Sequence, residues 1–239
     1  MKIKILGTRG EIEPSAPYHS RKSGILIDNK LLFDFGEQEF IDYHPQCIFI
    51  THLHPDHAYF VRSGGCFPAT DIPMYAPEKY KKGTIKILTK KITVGPYTII
   101  PIPTDHSLKV KSQAYLIIKG NERILYTGDM FWIKKKYHKL LKNLDMVITD
   151  GSFSDEGGMI RRDPATDKPY GHAGIPNLIR FFKPFTNTIL FIHFGSWFYR
   201  KGACNARKLL HRLGKKYTMN IIIGYDGMTI ETKKTQKKA

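Results

Sequence analysis

Three imidazoles and one carboxylate fall within six positions in the run His52-Leu53-His54-Pro55-Asp56-His57. The run directly follows Cys47-Ile48-Phe49-Ile50, a short apolar stretch that reads as a buried strand. The histidines therefore stand at a strand end. Side chains alternate along an extended segment, which sends His52 and His54 to the same side. Pro55 suits the first position of a helix and turns Asp56 and His57 back toward the same loop mouth. Imidazole and carboxylate are ligands that zinc, iron and manganese accept. One short segment can therefore serve two adjacent ions, a role that a scatter of surface histidines would not explain.

Composition bounds the setting. The chain has 239 residues, of which 41% are hydrophobic, enough for a sizeable core. No run of about 18 apolar residues occurs, so no membrane span is expected. The start, MKIKILGTRG, meets glycine and charge too early for a secretory signal. Cytoplasmic placement is the default expectation. Cys47, Cys66 and Cys204 form no C-x-x-C pair and are odd in number, which argues against both a disulfide framework and a thiolate zinc site. Thirty-eight Lys and Arg face 21 Asp and Glu, a net charge of +17. Such an excess favours anionic partners, with a solvated lysine-rich surface as the alternative. Part of it lies in the tail Lys233-Lys234-Thr235-Gln236-Lys237-Lys238.

Hydrophobic patterning places a strand over residues 1–6, then a long Gly- and Pro-rich loop to Ser20. A hairpin follows around Asp28-Asn29. A short helix is expected near Phe40–Tyr43 and a β-meander over residues 84–127. Another helix is expected over Phe131–Leu141 and a strand over Met146–Thr149. Gly151 to Gly171 reads as loop. Ile175–Phe182 reads as a helix with Pro176 in its first turn, followed by a strand (188–193), a helix (203–213) and strands at 220–224 and 228–231. Two roughly equal halves of this kind suggest two sheets with helices on their outer faces. We expect one domain over residues 1–232 and a basic tail over 233–239.

The histidine run matches the H-x-H-x-D-H signature of the metallo-β-lactamase superfamily, which the chain resembles over about residues 5–231. Further motifs follow the same order: Asp34-Phe35-Gly36, Thr104-Asp105-His106, Thr127-Gly128-Asp129, Ile192-His193-Phe194 and Asp226-Gly227-Met228. The resemblance implies a four-layer αββα sandwich, an α/β fold with a dinuclear centre. One divalent ion would be held by His52, His54 and His106. The other would be held by Asp56, His57 and His193, with Asp129 bridging. Zn2+ is the expected metal, with Mn2+ or iron as alternatives, and Asp56 counts among the catalytic residues as well as the ligands.

Within that superfamily, Thr149-Asp150-Gly151-Ser152-Phe153, then Gly171-His172-Ala173-Gly174, then His193-Phe194-Gly195-Ser196 resemble the transfer-RNA three-prime processing endonucleases. Asp150 stands where that family has Glu, and no long inserted arm lies between His106 and Asp150. The resemblance implies an Asp150–His172 relay that donates a proton to a leaving alkoxide. His19, Ser20 and Arg21, in the loop after the first strand, are the expected phosphate contacts. Arg161, Arg162, Tyr199 and Arg200 are weaker candidates, and Trp132, Trp197, Phe198 and Tyr199 could stack with bases. The expected activity is a metal-dependent phosphodiesterase or nuclease acting on RNA or single-stranded DNA, without a membrane and with a homodimer as one arrangement. The alternatives are a thioester or lactone hydrolase of the same fold and a basic nucleic-acid-binding protein without turnover.

Overall fold

Strands covered on both faces must alternate their apolar residues between two layers, and this chain does so from its first strand. In β1 (Lys2–Gly7), Ile3 and Ile5 enter one apolar cluster and Leu6 another. In β2 (Gly24–Ile27), Ile25 and Ile27 part from Leu26 in the same way. The computed structural model describes residues 1–232; the basic tail expected at 233–239 lies outside the described residues.

Two seven-stranded sheets result. The first joins β1 and β2 to β3 (Leu31–Phe33), β4 (Cys47–Phe49), β5 (Met74–Ala76) and β6 (Lys86–Ile87). The second contains β7 (Ile92–Val94), β8 (Tyr97–Thr104), β9 (Ser112–Lys119), β10 (Glu122–Tyr126), β11 (Met146–Gly151), β14 (Thr188–Phe194) and β15 (Asn220–Ile223). The last strand, β16 (Thr229–Glu231), returns to pair antiparallel with β1. Ile3, Ile5, Phe33 and Phe49 from one sheet share a cluster with Tyr115, Ile117, Tyr126 and Ile148 from the other. That shared cluster is the sandwich core. Helices α1 (Ile175–Phe182) and α3 (Ala203–Tyr217) cover the second sheet's other face, where Leu178, Phe182 and Leu210 meet Leu116, Val147 and Phe191.

The expected αββα sandwich is therefore present, with five corrections. The chain does not divide at its middle, because most of the meander belongs to the second sheet and β16 to the first. The outer layer of the first sheet is formed by short 3-10 helices at Gln38–Tyr43 and Tyr59–Val61, which plant Phe40 and Phe60 over Leu26, Leu32 and Ile48. The helix expected over Phe131–Leu141 is a 3-10 helix confined to Lys135–Leu141. Within the expected loop 151–171 lies a separate hairpin, β12 (Met159–Arg162) with β13 (Pro169–His172), which carries His172 at its end. A six-residue helix, α2 (Ser196–Lys201), was also not foreseen.

The β2–β3 hairpin turns as expected: Asp28 and Asn29 both have positive φ, 50° and 55°, as type I′ turns require. Asp28 also ties the two sheets together. Its carboxylate accepts hydrogen bonds from Lys119 Nζ (2.7 Å) and Tyr97 OH (2.8 Å), both in the second sheet, and from the Lys2 N–H (2.7 Å). Burial pushes this carboxyl's pKa up, but Lys119 and the other donors pull it down and prevail. Asp28→Ala should cost about 1–2 kcal/mol at neutral pH. A carboxyl whose folded pKa is depressed contributes above its unfolded pKa, about 3.9, and loses that contribution as pH falls through the folded value. The Tm gap between wild type and variant should therefore close in acid. An equal gap at neutral and acid pH would contradict the ion pair.

Candidate metal centre

The ends of β4, β8, β10, β11 and β14 deliver the titratable residues to one place. Thr51 and His52 follow β4; His106 follows β8; Asp129 follows β10. Asp150 is in β11 and His193 is in β14. His52, His54, His106 and Asp129 offer ligand atoms within 4.8 Å of one another, and so do Asp56, His57, Asp129 and His193. All seven residues expected as ligands are thus brought together, with Asp129 shared by both groups.

Asp129 presents one carboxylate oxygen to each side. Its Oδ2 lies 3.7 Å from His52 Nε2 and 3.8 Å from His106 Nε2. Its Oδ1 lies 3.2 Å from His57 Nε2 and 3.3 Å from His193 Nδ1. His54 Nδ1 faces two nitrogens, His52 Nε2 at 3.0 Å and His106 Nε2 at 3.3 Å. Donors bound tetrahedrally at about 2.0–2.1 Å from a zinc ion sit about 3.3 Å apart, close to these separations. His57 Nε2 and Asp129 Oδ1 are buried without a hydrogen-bond partner despite their proximity. Orphaned buried atoms of this kind, within a nitrogen- and carboxylate-rich donor set, fit divalent cations.

Outer partners fix which imidazole nitrogen faces inward. His52 Nδ1 meets Thr51 Oγ1 (3.0 Å), His106 Nδ1 meets the Gly171 carbonyl (3.0 Å) and His57 Nδ1 meets Asp34 Oδ2 (2.6 Å). Each of these leaves Nε2 for the centre. Asp34 is fully buried and also accepts from the Thr51 N–H, Thr51 Oγ1 and Tyr126 OH. Its place in the Asp-x-Gly motif was the only sequence signal for this role. Ser152 Oγ, 2.9 Å from His193 Nδ1, had no such signal.

Backbone geometry is specialised here. The β11–β14 register shifts at Asp150/Gly151, and His193 lies in the bulge with φ of 55°. A non-glycine residue in that region is strained, and bulges beside functional sites re-aim side chains. Gly128 has φ of 58°, and a Cβ there would sit 2.4 Å from Thr51 Oγ1, so the Thr-Gly-Asp turn requires glycine.

The centre's electrostatics divide by location. Burial, followed by the neighbouring imidazoles, holds His52 well below the usual histidine range. Burial also brings His106 to about 4. These are neutral imidazoles, the form that binds metal. Burial acts the same way on His193, but Asp129, Asp150 and Asp56 outweigh it and lift its pKa to about 10. His57 is likewise raised, by Asp129 and Asp34 against burial. Burial raises Asp129, but His193 and His57 outweigh it and hold it near 2.

A cavity of about 220 Å³ opens over the cluster, bordered by His54, Asp56, Asp129, His172, His193 and the Gly10–Ile12 loop. His172 Nδ1 lies 2.6 Å from Asp150 Oδ2, the expected pairing. Burial lowers His172 and Asp150 raises it, with a net rise. Lys22, which sequence reading passed over, is buried and donates from Nζ to the Gly10 carbonyl (2.8 Å), anchoring that cavity wall. His19, Ser20 and Arg21 do not border the cavity. His19 is fully buried against Phe194 and Phe198, and Asp226 accepts the Ser20 and Arg21 N–H groups. Trp197 and Phe198 are buried too, with Trp197 Nε1 donating to the Gly151 carbonyl (2.8 Å), so neither is free to stack with a base.

No family model and no curated protein matches the sequence. Solved structures do match in fold. The metallo-β-lactamase fold protein YhfI from Bacillus subtilis has 19% identity and a TM-score of 0.67, covering 96% of this chain and 98% of that one. The short form of human tRNase Z (ELAC1) has 16% identity and a TM-score of 0.63, covering 98% and 100%. A diphosphatase of the PhnP family has 16% identity and a TM-score of 0.66, covering 96% and 97%. Sheet order, site placement and these likenesses together define the chain as a metallo-β-lactamase fold protein. Its donor clusters stand at the strand ends of that fold.

Asp34→Asn tests the outer layer. It replaces an acceptor of four hydrogen bonds with a group that can accept through only one oxygen. Metal affinity should fall 10- to 100-fold, and stability by about 2–3 kcal/mol. Chelator competition and denaturant unfolding measure the two effects. Affinity within twofold of wild type would remove Asp34 from the site's support.

Proposed function

We propose that the chain is a metal-dependent hydrolase that cleaves phosphodiesters, with RNA or single-stranded DNA as the first substrate class. His52, His54, His106 and Asp129 would hold one divalent ion, and Asp56, His57, His193 and Asp129 the other. The imidazole-rich donor set favours Zn2+, with Mn2+ or iron also compatible. Such ions, when bound, lower the pKa of a shared water and offset charge on the phosphoryl oxygens. Asp56 borders the cavity and takes the proton of the attacking water.

The observation that carries the phosphodiester reading is the Asp150–His172 pair. Asp150 binds Nδ1–H of His172, which leaves Nε2 without a hydrogen-bond partner among the described residues, in a side chain that borders the cavity. That nitrogen donates a proton to the departing alkoxide. Alkoxides are poor leaving groups and need such an acid; thiolates do not. Two solved neighbours are named for phosphate chemistry, a tRNase and a diphosphatase, which supports the reading by analogy of fold.

His172→Ala should slow cleavage of an oligonucleotide by about 10²- to 10⁴-fold. Turnover of bis(p-nitrophenyl) phosphate, whose leaving group departs without protonation, should fall far less. Equal losses on both would remove His172 as the acid. Activity confined to thioesters, and spared in the variant, would favour the alternative hydrolase.

A further inference from the structure

Between positions 168 and 225 the chain carries ten Lys and Arg and no Asp or Glu. The second half of that stretch forms α2 and α3. A groove of about 650 Å³ lies there, bordered by Lys201, Asn205, Lys208, Leu209, His211 and Arg212. None of the ion pairs formed by Lys and Arg side chains among the described residues involves Lys201, Lys208 or Arg212, so these groove cations are uncompensated.

Helix α2 links this groove to the metal cavity. Helix α2 begins at Ser196, which borders the cavity, and ends at Lys201, which borders the groove. Six helical residues rise about 9 Å. An exposed aromatic pair includes Tyr18, whose loop contacts α2 and α3. Tyr18 is 69% exposed and Tyr225 40%, with ring centroids 6.3 Å apart in an edge-to-face arrangement. That loop is tied to both helices at the residue after Tyr18. Tyr199 OH donates to the His19 carbonyl (3.0 Å), and the Arg207 guanidinium lies 3.5 Å from His19 Nε2.

We propose that the α2–α3 groove and the Tyr18–Tyr225 pair form a docking track for single-stranded nucleic acid that leads its phosphodiester backbone into the metal cavity. The proposal rests on the phosphodiesterase reading and adds the surface that selects a polymer over a small ester. Uncompensated cations bind phosphates by releasing counterions, and exposed aromatic faces accept unpaired bases. A bilayer fits this surface less well. The exposed large hydrophobics among the described residues are Tyr18, Ile87, Leu108, Trp132, Ile160 and Tyr225, none of them on α2 or α3. These helices therefore present no exposed large apolar side chain for insertion.

The test is fluorescence anisotropy of the metal-loaded protein with a labelled single-stranded phosphorothioate 15-mer, over a salt series. Turnover of bis(p-nitrophenyl) phosphate is measured alongside. Lys208→Gln with Arg212→Gln should weaken binding on the order of tenfold near 0.1 M salt and reduce the log–log salt slope by about 1.4. Tyr18→Ala should weaken binding at least about fivefold with the slope unchanged. Both should leave turnover of the small diester as in wild type. Lys90→Gln with Lys91→Gln, an exposed pair away from the groove, should stay within about twofold of wild type. Equal losses in that control pair would reduce the effect to overall charge and overturn the track. So would unchanged affinity in the groove variants, or groove variants that lose binding to phosphatidylserine vesicles but not to the 15-mer. If wild type binds as described but turns over no phosphodiester, the track stands and the phosphodiesterase reading fails.

Discussion

The carboxylates of Asp34, Asp56, Asp129 and Asp150 are buried around one centre, and the architecture beside them serves to compensate that charge. An uncompensated buried carboxylate costs several kcal/mol. In the polypeptide alone, compensation comes from hydrogen-bond donors and from His57 and His193, whose pKa values these carboxylates raise against burial. Divalent cations would supply the same charge more densely. The donor separations of 3.0–3.8 Å across the His52, His54, His106 and Asp129 group suit a tetrahedral ion.

The strand ends are built around this demand. The bulge at His193, the glycine turn before Asp129 and the fully hydrogen-bonded Asp34 each place a side chain that a regular strand would send elsewhere. The hairpin of β12 and β13 adds another constraint. Gly171 accepts from His106 Nδ1 while the next residue, His172, pairs with Asp150. One short strand thereby orients a metal-ligand candidate and the Asp150–His172 pair together.

Much of the centre was legible in the sequence because its chemistry sits in contiguous motifs at strand ends. His52 to His57, His106, Asp129 and His193 converge, as does Asp150 with His172. The strand pattern and the sandwich were legible for the same reason: alternation is a local signal. Sheet membership was not legible, since whether β7 to β10 pair with β6 or with β11 depends on long-range register. The β12–β13 hairpin escaped because its strands are four residues each and carry no apolar alternation to read. His19 lies away from the cavity for a complementary reason. A histidine beside Ser and Arg in a glycine-rich loop looks like a phosphate contact, but packing against Phe194 and Phe198 turns it inward. Lys22 was overlooked because a lysine is seldom buried, and its contacts with Gly10, Glu11 and Ile12 reveal its role.

The central claim is that two cations sit side by side, sharing Asp129. Loading the purified chain with Mn2+ and recording metal content together with the electron paramagnetic resonance spectrum tests it most directly. About two ions per chain with an exchange-coupled spectrum is the expected result. No bound metal, or a single ion giving an isolated six-line signal, would contradict the dinuclear centre.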